Sequence, residues 1–173
     1  MEYGYTDTAK NSGEARFVRI TDIDENGHLK KTGQKFINIT QEAKRFLLQK
    51  GDLLVARTGA TFGKTAIFEE KYPAVFASYL IRLRFNEGDV LPGFFWLFAQ
   101  SEDYWNQAKK LVTGGGQPQF NANAIKKIEA PVVSVATQKQ FIAEAEKEEE
   151  ILEANIRLMD LMEEKINNVL SEI

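Results

Sequence analysis

Cysteine is absent from the 173 residues and histidine occurs once, at His28. Disulfide frameworks, thiolate zinc sites and cysteine nucleophiles are therefore excluded, as is any metal site or relay that needs a second imidazole. No apolar run approaches the roughly 18 residues of a membrane span. The longest, GFFWLFA from Gly93, is far too short. The opening MEYGYTDTAKNSGEAR has no apolar signal core, so a cytoplasmic location away from membranes is expected. A glycine-rich cofactor fingerprint after a strand is missing, as is an Asn/Asp-Pro-Pro-aromatic methyltransferase signature. No cofactor is expected, and this chain alone should show no turnover.

What is present is the balance of an ordinary globular protein, 43% hydrophobic and 27% charged. The formal net charge is −3, but its distribution matters more. Residues 1–136 carry 18 basic and 15 acidic side chains, whereas residues 137–173 carry 4 basic and 10 acidic ones. The acidic tail should not lie along a polyanion, and the overall balance disfavours indiscriminate nucleic-acid binding. Site-specific binding through a local basic surface stays open.

The pattern up to Ala136 reads as strands and turns with helical inserts. ARFVRITDID from Ala15 alternates and breaks at Asn26-Gly27, a turn signal. KFINIT from Lys35 alternates again, and QEAKRFLLQKG from Gln41 has helical spacing ending at Gly51. GDLLVARTG and TAIFEE flank a Gly-containing loop, Gly59 to Lys64. AVFASYLIRLRF from Ala74 predicts one strong strand with Arg82 and Arg84 on one face. Pro92 should open a single helix running to Gly114. The loop GGGQPQFNANA follows, and IKKIEAPVV closes the body.

From Thr137 onward there is no Gly or Pro. Ala145, Leu152, Met159, Ile166 and Ile173 recur every seven residues, with Ile142, Ile156, Met162, Val169 and Leu170 filling out a stripe. This is a long amphipathic helix with near-heptad spacing, about 55 Å in length. A partner helix is expected to cover the stripe; folding back on the body is the alternative.

Several motifs weigh little. ARTGATFGKT from Ala56 imitates a phosphate loop, but Gly59 and Gly63-Lys64-Thr65 are one residue too close, and Thr58 occupies the required glycine position. Glu42-x-Lys44 has no Pro-Asp partner and is the kind of pair that chance supplies. His28 reads as a solvated turn residue. Phe94, Phe95, Trp96, Phe98, Tyr104 and Trp105 have the spacing of a buried helical face, with base stacking as the minor reading. Gln117, Gln119, Asn121 and Asn123 form an amide-rich loop. Such amides can pair with adenine in the major groove, and Arg with guanine. With Arg57, Lys64, Arg82 and Arg84 on neighbouring strands, the loop is a candidate readout surface.

Together, in order, these segments resemble a target recognition domain of a type I restriction-modification specificity subunit. YGYTDTAKNSGEARFVRITDID from Tyr3 is similar to an opening stretch of one group of these domains. GDLLVARTGATFGKTAIF, then ASYLIRLRFN from Ala77, PGFFWLFAQSEDYW and GGGQPQFNANAIKKIEAPV resemble successive strand, helix, loop and final-strand segments. The usual Pro-Pro before the helix is replaced by Pro131-Val132-Val133, and the segment expected before Tyr3 is missing.

The resemblance implies an α+β fold: a mixed, largely antiparallel β-rich recognition domain at 1–136 with packed helices, then a coiled-coil-like helix at 137–173. It implies a non-catalytic role, directing methyltransferase and restriction subunits to double-stranded DNA. One domain with one helix corresponds to half of a subunit that usually has two of each. Arg57, Thr58 and Lys64 at one hairpin tip, with Ser78, Tyr79, Gln117, Gln119 and Asn121 nearby, are the expected DNA contacts. The opening stretch adds Tyr5, Thr6 and Arg19. The helix is expected to pair with a second copy, or dock on the methyltransferase, through Ala145, Leu152, Ile156, Met159, Ile166 and Val169. The competing reading is a protein-interaction adaptor whose body never touches DNA.

Overall fold

The computed structural model describes residues 1–85 and 90–171; Asn86, which ends ASYLIRLRFN, and Ile173, last of the sevenfold series, lie outside the described residues. In chain order the strands are β1 (Glu2–Tyr3), β2 (Ala15–Val18), β3 (Phe36–Ile37), β4 (Leu53–Ala56), β5 (Thr65–Ile67), β6 (Ala74–Phe76) and β7 (Leu80–Leu83). The helices are α1 (Pro92–Phe98), α2 (Glu102–Leu111), α3 (Ala122–Ile125) and α4 (Val135–Ser171). The observed class is α+β.

Two sheets form. One is antiparallel with order β1-β7-β4-β5; the other, β3-β2-β6, pairs β2 parallel with β6. Leu54, Ala56 and Leu80 of the larger sheet join a core with Phe17, Val18, Val75 and Phe76 of the smaller one. The alternate residues Leu53, Val55, Ile81 and Leu83 pack with Phe95, Phe98, Tyr104 and Phe120 from the helical side. The larger sheet is thus covered on both faces. That is why LLVA reads as a continuous apolar run, and why LIRL, buried throughout, departs from one only at Arg82.

Four sequence expectations are corrected. AVFASYLIRLRF is two strands in different sheets: the chain turns at Ala77–Tyr79, where the Leu80 amide donates to the Ala77 carbonyl at 2.9 Å. The helix expected from Gln41 is only a 3₁₀ turn, Ala43–Phe46. Leu47 and Leu48 leave it to pair with the β6 edge, where the Leu48 amide donates to Ala74 at 2.8 Å. The helix expected from Pro92 to Gly114 breaks into α1 and α2, because Ser101 caps α2 by accepting from the Tyr104 amide at 3.3 Å. Among the described residues, 126–134 carry no strand. The Gln107 amide instead brackets the Glu129 backbone, donating to its carbonyl at 3.0 Å and accepting from its N–H at 2.8 Å.

Helix α4 is continuous over 37 residues. Its base rests on α1: Gln138 is buried, and Phe94 and Phe141 place their rings 6.3 Å apart. Ala145 and Ile142 are half-buried, and every described residue from Glu150 onward is exposed.

Candidate nucleic-acid interface

The hairpin between β4 and β5 is closed by reciprocal backbone bonds of 2.8 Å, from Ala56 to Lys64 and from Gly63 to Ala56. Tyr104 fixes the hairpin from below, its hydroxyl donating to the Gly63 carbonyl at 2.7 Å; burial raises the pKa of that hydroxyl. The loop that follows α2 folds back over the hairpin. Gly114 makes this possible: its φ is +90°, and a Cβ there would sit 2.6 Å from the Gln117 carbonyl oxygen.

The two loops are stitched together at Thr58. Its hydroxyl donates to the Pro118 carbonyl at 3.2 Å and accepts from the Gln119 amide at 2.9 Å. The Phe120 N–H donates to the Arg57 carbonyl at 2.7 Å. Thr58 is buried, so its part is to hold the loops rather than to meet a ligand.

Arg57 is held on three sides. Its Nε donates to the Ser78 carbonyl at 2.9 Å, and its N–H to the Tyr79 carbonyl at 3.0 Å. The guanidinium lies over two rings, 5.3 Å from the Tyr3 centroid and 5.5 Å from that of Tyr79. Both tyrosines are about half exposed, at 45% and 52%. Among the described residues no hydrogen bond or ion pair takes up the terminal guanidinium nitrogens. The result is a preorganised planar donor pair on an aromatic platform.

The structure thus brings together Arg57, Thr58, Ser78, Tyr79 and Gln119, with Gln117 exposed on the same loop. Asn121 is the N-cap of α3, accepting from the Asn123 and Ala124 amides at 3.0 and 3.1 Å. Lys64 is paired with Glu25, 2.7 Å from its carboxylate. Arg19 is committed to Asp22 at 2.7 Å. Tyr5 pairs with Ala77 and sets its ring 5.3 Å from Phe46, and Thr6 is exposed. Among the described residues, no cluster of three His, Cys, Asp or Glu side chains is placed to hold a metal ion.

Arg82 is not on a readout face. It is buried between the sheets, 2.6 Å from Glu2 and 3.0 Å from Asp52, and also donates to the Leu47 and Arg45 carbonyls. Burial opposes ionisation of Glu2, but the Arg82 hydrogen bond and the charges of Arg82, Arg45 and Arg84 outweigh it. The carboxyl is held below its ordinary pKa. Sequence reasoning missed Tyr3, whose signal was the Tyr3-x-Tyr5 alternation of an edge strand. It also passed over Lys109-Lys110 and Lys126-Lys127, which stand exposed at the ends of the packed helices α2 and α3.

The model of the type I restriction modification DNA specificity domain matches residues 3–172. The chain belongs to this family. Among solved structures, this specificity-domain chain is similar to one from a study of complex assembly and conformational transition in a type I R-M system. There the TM-score is 0.61 at 12% identity, over 92% of this chain and 37% of that one. It is also similar to the HsdS subunit from Thermoanaerobacter tengcongensis, with a TM-score of 0.59 at 17% identity, over 83% of this chain and 38% of that one. The likeness is one of fold, and the chain spans little more than a third of each. No curated protein matches its sequence.

Proposed function

We propose that this chain is a sequence-reading component of a type I restriction-modification system, with residues 1–136 as the DNA recognition domain and residues 137–173 as the spacer helix. The observation that carries the reading is the Arg57 guanidinium, fixed by Ser78, Tyr3 and Tyr79 with its terminal nitrogens unclaimed. Such a fork matches the N7 and O6 acceptors of a guanine in the major groove. Gln117 reads a neighbouring base edge, and Gln119 and Asn121 hold its loop. Lys109, Lys110, Lys126 and Lys127 supply phosphate contacts, which position the protein without carrying sequence information.

The role is non-catalytic. Methylation and cleavage belong to partner subunits, a methyltransferase and, through it, a restriction subunit, acting in the cytoplasm. Among the described residues no helix is long and apolar enough to cross a membrane.

Helix α4 supplies the dimer. Leu152, Ile156, Met159, Ile166 and Val169 are each at least half exposed and share one broad face. At 100° per residue these five side chains cover an arc of roughly 140°, the width of stripe that an amphipathic helix turns toward a core. Two copies packing antiparallel cover it, and their two-fold symmetry sets two bodies over identical inverted half-sites. The test is binding of the full chain to duplex DNA, alone and with the methyltransferase subunit. Salt-sensitive binding with a preferred sequence supports the reading. A dimer that binds no duplex under either condition transfers the chain to the adaptor class.

A further inference from the structure

Helix α4 leaves the body with two separate supports. At the base, buried Gln138 accepts from the Leu91 N–H at 2.8 Å and donates to the Val133 carbonyl at 3.1 Å. Ile142 lies so close over Gly93 that a Cβ there would be 3.2 Å from its Cδ1. Eleven residues beyond Gln138, about 16 Å further along the axis, Glu149 Oε1 lies 3.1 Å from His28 Nε2. Among the described residues, Glu149 is the last of α4 to bond to the body.

His28 is itself a fixed point. Gly27, at φ +81°, is seated so tightly that a Cβ would be 2.7 Å from Trp96 Nε1 and 2.9 Å from the Thr65 carbonyl oxygen. Trp96 Nε1 donates to the Gly27 carbonyl at 3.2 Å, and its ring meets the imidazole edge-on at 5.2 Å. Asp24 holds the turn from inside, accepting from the Asn26 and His28 N–H groups at 2.9 Å each. The turn is thereby bound to α1, the same helix on which the base of α4 rests.

We infer that the His28–Glu149 contact is a strut: it sets the angle at which α4 leaves the body, and through it the spacing at which a two-body assembly reads its half-sites. The inference rests on the DNA-reading role proposed above. A helix anchored only at its base can swing about it, whereas a second contact about 16 Å out fixes its direction. The 22 residues that follow Glu149, as far as Ser171, span about 33 Å at 1.5 Å per residue. A tilt of about 10° moves their far end by about 6 Å, more than one 3.4 Å step of the duplex. Both side chains are partly exposed, so the contact is modest in strength. It tunes an angle and does not hold the fold together.

The test uses the full chain, whose lack of cysteine allows clean labelling. Spin labels at Lys50→Cys and Asn168→Cys, diluted with unlabelled chain, report the body-to-tip distance without DNA. His28→Phe keeps the ring on Trp96 but removes the donor, and Glu149→Ala removes the acceptor. Both are expected to broaden or shift the distance distribution, while Glu149→Gln, which retains an acceptor, restores it. In selection of paired half-sites, preference for the wild-type spacing over its neighbours should fall about two- to fivefold in the same two variants, the range an exposed pair supports. Unchanged distances, or an unchanged spacing preference, in both variants would overturn the strut. A wild-type chain that selects only an unpaired motif counts against the two-body assembly, one that selects no motif counts against the DNA-reading role, and either leaves the distances to decide the strut by themselves.

Discussion

Thr58 and Gln119 stand 61 residues apart in the chain and are joined by a 2.9 Å hydrogen bond between their side chains. This bond, with the backbone bridge beside it, locks the loop after α2 onto the β4–β5 hairpin. Gln119→Ala should cost about 1 kcal/mol, the net value of one such bond. Hydrogen exchange at the Gly59 and Gln119 amides should speed up several-fold while the β4 and β7 amides keep their rates. Equal acceleration across the sheet would show that the lock is part of the global fold and not local to the site.

The Asp52–Arg82 pair is the second specific relationship. Asp52→Ala leaves a buried guanidinium short of a counter-charge, and loss of one member of a buried pair costs about 3–5 kcal/mol. Denaturant midpoints measure it. A loss below about 1 kcal/mol would mean that Glu2 alone satisfies Arg82.

Glu2 sets a pH dependence at the same place. Its folded pKa is depressed, so its contribution to stability is present above the unfolded value, about 4.3 for a glutamate, and is lost as pH falls through the folded value. Wild type should therefore lose more stability than Glu2→Gln between about pH 5 and pH 3. Parallel stability curves for the two proteins over that window would contradict the assignment.

Much of this architecture is legible in the residues, and the errors have physical causes. The hairpin around Arg57, the Asn26-Gly27 turn and the long α4 follow from turn chemistry and periodicity. The split between β6 and β7 does not, since a chain that crosses between two covered sheets stays apolar on both sides of the crossing. The break at Ser101 was hidden because the aromatic face continues through it from Phe98 to Tyr104. Arg82 read as a surface cation because its partners, Glu2 and Asp52, are 80 and 30 residues away. Of the candidate contacts, Arg57 with Ser78 and Tyr79 could be guessed from neighbouring strands. That Tyr3 closes the other side of the guanidinium depends on β1 pairing with β7, which no local pattern announces.

The exposed face of α4 gives a prediction about assembly. Leu152→Glu with Met159→Glu should turn a dimer into a monomer by light scattering at micromolar concentration. The body should keep its melting temperature, because both side chains are already solvent-exposed in the single chain. A wild-type monomer at the same concentration would instead assign the face to the methyltransferase.

The most direct test of the central claim is selection of bound duplexes from a randomised library at about 0.15 M salt, near physiological ionic strength. It is run side by side for the wild type and Arg57→Ala, alone and with the methyltransferase subunit. Wild type should enrich a short motif repeated in inverted orientation. Arg57→Ala should lose discrimination at one base pair of each half, a loss of about 1–3 kcal/mol. No enriched motif under either condition, or the same motif from the variant at undiminished selectivity, would contradict it.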